Sequence, residues 1–308
     1  SSDWFFQMVF VATAASVVSG TIAERTKLWS FLVFVVVLSA VLYPIQGSWT
    51  WGGGWLSEMG FSDFSGSTIV HSVGGWAALV GAILVGPRKG KFVDGRINPM
   101  PGSNIPLATL GTFILWFGWF GFNGGSQLAL GSGADATAMS IVFVNTNLAA
   151  AAGCVGAMII AQLWFGKVDI TMGLNGALAG LVSITAGPDL TFHLLSIIIG
   201  AIGGVLCVFS VVILERMRID DVVGAISVHL TAGIWGTLAV GIFGGGNLGV
   251  QIIGIVAIAA FMIIASLIVW SVIQAVMGLR VEDDDEAQGL DVTEIGLEAY
   301  PEFGKSSF

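Results

Sequence analysis

The chain has 308 residues, of which 55% are hydrophobic and only 10% charged, where a soluble domain carries about 25% charged residues. Its formal net charge is −9, gathered largely in the run Glu282-Asp283-Asp284-Asp285-Glu286, which excludes nucleic-acid binding through a basic patch. Glycine occurs 44 times, roughly twice its usual share, and in an apolar background this implies helices packed closely through small residues. Cys154 and Cys207 stand alone, with no metal-ligand or CxxC spacing, and are read as small core residues.

Nine apolar stretches reach the length of about 20 residues that a bilayer requires. They run over 4–23, 28–46, 64–86, 106–124, 138–165, 169–187, 190–214, 222–244 and 249–278. The first is too long for a secretory signal and lacks the basic start of one. Short polar or Gly/Pro-rich connections join them, such as Ala23-Glu24-Arg25-Thr26-Lys27 and Gly166-Lys167-Val168-Asp169. Threading nine spans puts all 11 basic residues on one side, among them Arg25, Lys27, Arg88, Lys91, Arg216, Arg280 and Lys305. The opposite loops hold only acids, such as Glu58, Asp63, Asp135 and Asp189. By the positive-inside rule the basic side is cytoplasmic. Ser1 is then outside and the acidic end inside. The expected fold is an all-α polytopic membrane helix bundle, with a membrane domain over 1–278 and a cytoplasmic tail over 279–308, in the cell (inner or plasma) membrane.

Two stretches share the frame Asp-x-x-Gly-x-x-x-Val-His-x-x-x-Gly: Asp63, Gly66, Val70, His71, Gly75 and Asp221, Gly224, Val228, His229, Gly233. Ionisable groups inside a membrane are costly and mark functional sites. The only other histidine, His193, follows Pro188-Asp189 and reads as an interfacial residue. Each paired histidine lies 8 residues past its Asp, so roughly 12 Å along a helix at 1.5 Å per residue. One span enters from outside and the other from the cytoplasm, so the repeat is inverted and both imidazoles approach the midplane. Equal inverted halves of five helices plus a final long helix ask for two more spans ahead of Ser1. The chain thus reads as a shortened form of an eleven-span protein. Asp63 and Asp221 precede apolar helices and read as N-caps, with direct attraction of a cation the alternative for Asp63.

Phe6-Gln7…Phe10…Gly20-Thr21-Ile22-Ala23-Glu24-Arg25, Trp51-Gly52-Gly53-Gly54, Asp63-Phe64-Ser65-Gly66…His71, Gly118-Trp119-Phe120-Gly121-Phe122-Asn123-Gly124-Gly125-Ser126 and the tail Gly289-Leu290-Asp291…Gly296…Glu298-Ala299-Tyr300 resemble the ammonium transporter (Amt) family. The resemblance covers essentially the whole chain. It implies eleven helices in inverted five-helix repeats, a homotrimer with one pore per subunit, and transport rather than enzymatic catalysis. It implies an outer recruitment site at Trp51, Phe10 and Ser126, and a gate of stacked rings at Phe10 and Phe122. It also implies a pore lined by His71, His229 and Trp119, and a possible P-II type regulator at the cytoplasmic face. The bilayer lipid is the remaining partner, and no cofactor or metal is implied.

The residue types suit that chemistry. Aromatic faces attract a small cation by about 0.5–2 kcal/mol, and a serine hydroxyl accepts a hydrogen bond, so such a site selects without trapping. Carrying an intact cation through hydrocarbon has an idealised cost on the order of 20 kcal/mol. Ammonium titrates roughly two units above neutral, so removing its proton at pH 7 costs about 3 kcal/mol. Ammonia is therefore the species expected to pass the phenylalanines, and potassium has no proton to shed. An ammonium sensor using the same site is the alternative function. Two facing histidines also suit axial ligation of a haem, a use in which Trp51 and the paired phenylalanines have no part.

Overall fold

The computed structural model describes residues 1–301; the last part of the expected tail, Lys305 included, lies outside the described residues. Helix α1 (Ser2–Ile22) is followed by α2 (Leu28–Val37), a π-helical turn π1 (Leu38–Leu42) and α3 (Tyr43–Ser48), which together form one span. A short α4 (Trp55–Glu58) leads to π2 (Ser67–Ser72) and α5 (Val73–Val85). A small hairpin, β1 (Phe92–Val93) with β2 (Arg96–Ile97), precedes α6 (Ile105–Gly125), α7 (Gly133–Phe165), α8 (Ile170–Ile184) and α9 (His193–Arg216). The second π-helical repeat element, π3 (Ile226–Thr231), runs into α10 (Ala232–Phe243); α11 (Leu248–Met277), α12 (Asp283–Gln288) and α13 (Leu290–Thr293) complete the described chain.

Among the described residues, eight helices are long and apolar enough to cross a membrane. The ninth stretch, expected over 169–187, forms a helix of only 15 residues, α8, about 22 Å long. Its ends explain the shortfall. Asp169 caps the start through Thr171 N and Met172 N, and the carbonyls of Thr185 and Ala186 leave the helix to accept from Ser65 N and Phe64 N. Helices α7, α8 and α9 meet through Gly153, Gly176, Gly180, Gly200 and Gly204, where an added methyl would overlap the backbone of the neighbouring helix. That close approach is what the high glycine content implies. Cys207 is buried, Cys154 half-buried, and both are free thiols.

One end of the bundle is tied together by ions. Arg88 grips Asp220 through Nε at 2.8 Å and Nη2 at 3.0 Å, and reaches Glu24 at 2.6 Å. Fully buried Arg25 donates to the carbonyls of Thr21, Ala23, Gly86 and Asp220. Burial lowers its pKa to about 10. Burial opposes ionisation of Asp220, but hydrogen bonds from Arg88 and its charge outweigh that and hold the carboxyl below its ordinary range. The acidic tail is docked here too. Lys27 N donates to Leu279 O at 2.9 Å and Val281 N to Arg25 O at 3.1 Å. Arg280 pairs with Glu286 at 2.6 Å, and Leu28 N donates to Glu294 at 3.2 Å.

Candidate functional site: an aromatic and imidazole column

The two frames fold alike. Gly66 and Gly224 adopt left-handed backbone, φ 101° and 78°, a region that costs other residues strain. This lets each chain double back from its Asp into the helix. Asp63 then accepts four backbone N–H groups, from Gly66 and Ser67 on one oxygen and Thr68 and Ile69 on the other, at 2.8–3.0 Å. Asp221 accepts from Ile226 N, Ser227 N and the hydroxyl of Thr21. All four of the bonds to Asp63 run to the first residues of the turn that follows. Its surroundings also reach the aromatic group, because Trp51 Nε1 donates to Asp63 O at 3.0 Å.

Past the caps each chain makes a π turn, π2 carrying His71 and π3 carrying His229. Such turns occur mostly as single-turn bulges and frequently at functional sites. The last glycine of each frame sits against the π turn of the other repeat: Gly75 against the backbone of Leu230, Gly233 against Ser67 and Ser72. A side chain at either position would push the two turns apart. The result is an imidazole pair, with Nδ1 of His229 at 3.1 Å from Nδ1 of His71 and ring centroids 5.1 Å apart. Two neutral rings meeting Nδ1 to Nδ1 share one proton there, so one ring carries its hydrogen on Nδ1 and the other on Nε2. His71 is fully buried, and its Nε2 has no partner among the described residues.

The rings expected from the sequence extend this pair into a continuous column. Phe10 packs edge-on to Trp51 at 5.6 Å and lies 4.2 Å from Phe122. Phe122 stacks on His71 at 5.2 Å, and Trp119 stacks on His71 at 5.0 Å. Trp119 is held by its Nε1 donating to Thr185 Oγ1 at 2.8 Å. Ser126 joins through Phe122, donating its hydroxyl to that residue's carbonyl at 2.9 Å, which leaves its oxygen as an acceptor. Phe6 belongs to the group as well: it meets Phe10 at 4.7 Å, edge to face, and packs on Gly125 beside Ser126. The i, i+4 spacing of Phe6 and Phe10 on α1 was the available signal for it. His193 is elsewhere, its ring bonded to Asn145 Oδ1 at 2.7 Å at the start of α9. No group of His, Cys, Asp and Glu suited to a metal ion occurs among the described residues.

The model of the Ammonium Transporter Family matches residues 1–300. The chain belongs to the ammonium transporter family. It is a multi-pass membrane protein. Ammonium transporter Amt2 of Archaeoglobus fulgidus is 44% identical to it over 97% of this chain and 70% of that protein's length. Among solved structures, one titled Sensor Amt Protein shares 39% identity and a TM-score of 0.91 over 96% of this chain and 76% of its own. The Saccharomyces cerevisiae Mep2 structure shares 28% identity and a TM-score of 0.82, over 97% and 70%. The chain thus spans 70% of the length of the Archaeoglobus fulgidus relative and 70–76% of these two solved chains.

Proposed function

We propose that this chain is a channel-like conductor of ammonium and ammonia. The observation that carries it is the unbroken column of rings from Trp51 to His229, built where the two repeats cross. In this scheme Trp51 and Phe10, with the free acceptor of Ser126, draw the cation to the outer mouth. The proton is left there, because the apolar gate of Phe10 and Phe122, whose ring centroids lie in contact at 4.2 Å, penalises the ion far more than neutral ammonia. Ammonia then meets His71 and His229, whose donors and acceptors replace the hydrogen bonds it had in water. Trp119 forms a wall of this path, and Asp63 supports it from behind as a cap.

The same scheme places Ser1 outside and the ionic cluster of Arg25, Arg88 and Arg280 in the cytoplasm of a cell membrane, within inverted repeats. It takes 1–278 as the transport domain and 279–308 as a cytoplasmic tail of a homotrimer, on whose inner face a P-II type regulator docks. Reconstituted into vesicles, the protein is expected to carry ammonium and methylammonium but not potassium. Trp51→Leu should leave the path open and raise the half-saturating concentration of methylammonium about 3- to 10-fold, the equivalent of about 1 kcal/mol of cation–π attraction. An unchanged concentration dependence would make Trp51 an interfacial anchor only.

A second function, ammonium sensing, is favoured by the likeness to the structure titled Sensor Amt Protein, at a TM-score of 0.91. Binding at the outer mouth without flux would decide for it. In either case the scheme has the tail couple the pores of the trimer. Deletion after Arg280 removes the pairing of Val281 N with Arg25 O and of Glu286 with Arg280. We expect transport several-fold lower in trimers that persist, measured by flux and by size-exclusion mass. Full flux would reduce the tail to a solubilising segment.

A further inference from the structure

Gln46 is a fully buried amide inside the span Leu28–Ser48. Burying an amide in an apolar place is unfavourable unless it finds partners, so what this one reaches is informative. Its Nε2 donates at 3.0 Å to the carbonyl of Ile69 and at 3.2 Å to that of Tyr43. Ile69 lies in π2, two residues ahead of His71. A π turn holds one more residue than an α turn, and its carbonyls are less regularly matched to donors along the helix. Two side chains bond π2 carbonyls: Ser72, from within the turn, to Ser67 O, and Gln46, from another helix, to Ile69 O. Among the described residues no side chain of another element bonds a π3 carbonyl. The two histidines are therefore presented differently. His229 rides on a turn held by its cap, its packing and the hydroxyl contact of Thr231 with Ser210 at 2.8 Å, and His71 on a turn hooked at a backbone carbonyl.

We propose that Gln46 is a positioning residue, holding π2 in the phase that brings His71 against His229. The proposal rests on the pore function given above. A carbonyl hook acts where the contact is most sensitive, since the 3.1 Å Nδ1···Nδ1 approach is lost with a small rotation of the turn. Its replacement Gln46→Met keeps length and volume but has no N–H.

The test is a double-mutant cycle on flux in vesicles, with Gln46→Met, His71→Ala and the pair, at matched abundance. Gln46→Met is expected to lower ammonium flux about 10-fold and to change the methylammonium-to-ammonium ratio. Added to His71→Ala it should change either by less than 2-fold. Equal effects in both backgrounds would make Gln46 a packing residue and overturn the inference while leaving the pore intact. His71→Ala identical to the unmodified chain would remove the pore function and this inference with it. A readout independent of flux is the imidazole 15N spectrum, in which the chain has three histidines. In Gln46→Met the Nδ1 signals of His71 and His229 should shift and that of His193 should not. Unmoved His71 and His229 signals would count against the hook.

Discussion

His71→Ala is expected to lower ammonium flux about 10-fold while folded protein remains. His71 is stacked against Trp119, Phe122 and His229, and its buried Nε2 is unpartnered, which leaves it available to a small molecule with hydrogens and a lone pair to share. One neutral hydrogen bond in such a dry place contributes about 1–1.5 kcal/mol net. Lost at the highest point of the path, that is roughly a tenfold fall in rate. His229→Ala should do the same, since each ring completes the other's shared proton. The double replacement should cost less than the sum, because the two rings act as one unit. Methylammonium flux into vesicles, compared at equal abundance and equal melting temperature, measures this. Unaltered flux and selectivity in both single variants would end the pore assignment.

Asp63→Ala is expected to be the more damaging to the fold. The carboxylate accepts four backbone N–H groups and is almost wholly buried, so alanine strands all four donors. Each charge-assisted bond contributes about 1.5–3 kcal/mol on its own. Because the donors share one side chain they do not add, and a total loss of about 3–5 kcal/mol is expected. The π turn bearing His71 would fray, and flux would fall with it. Asp63→Asn separates this from the alternative of cation attraction. An amide oxygen still accepts from one pair of N–H groups, but its NH2 opposes the other pair, so a cap predicts a lower melting temperature. Normal stability with a weaker apparent affinity for ammonium would instead assign Asp63 to attraction of the cation.

Much of this architecture is legible in the chain itself. Apolar length marks the spans, and the repeated frame marks the histidines. The acid eight residues ahead of each histidine marks the cap, because an unsatisfied helix start in a membrane needs one. The π turns are not legible, since nothing in Ser67-Thr68-Ile69-Val70-His71-Ser72 distinguishes them from α-helix. Their register is decided by partners far along the chain, such as Gln46 on Ile69 O and Gly233 on Ser67. The short α8 escaped for a related reason: its last carbonyls are claimed by Phe64 and Ser65, a tertiary bond that hydropathy does not register. Phe6 was visible as spacing but not as function, because with 20 phenylalanines in the chain one more on an apolar face carries little information.

The stitching of the ionic end has a consequence for synthesis. The first helix finishes at Ile22, yet the groups that complete its end arrive in instalments. Gly86 O, the first distant partner of Arg25, follows 61 residues later, and Asp220 O 195 residues later. The segment around Met277, which meets Lys27, is 250 residues away. At a synthesis rate of roughly 5–20 residues per second, this helix waits on the order of 10–50 s before that end is closed. Over that interval a buried arginine must be kept hydrated at the membrane surface. The contacts of Lys27 and Leu28 with the segment from Met277 onward are the last of these to become available.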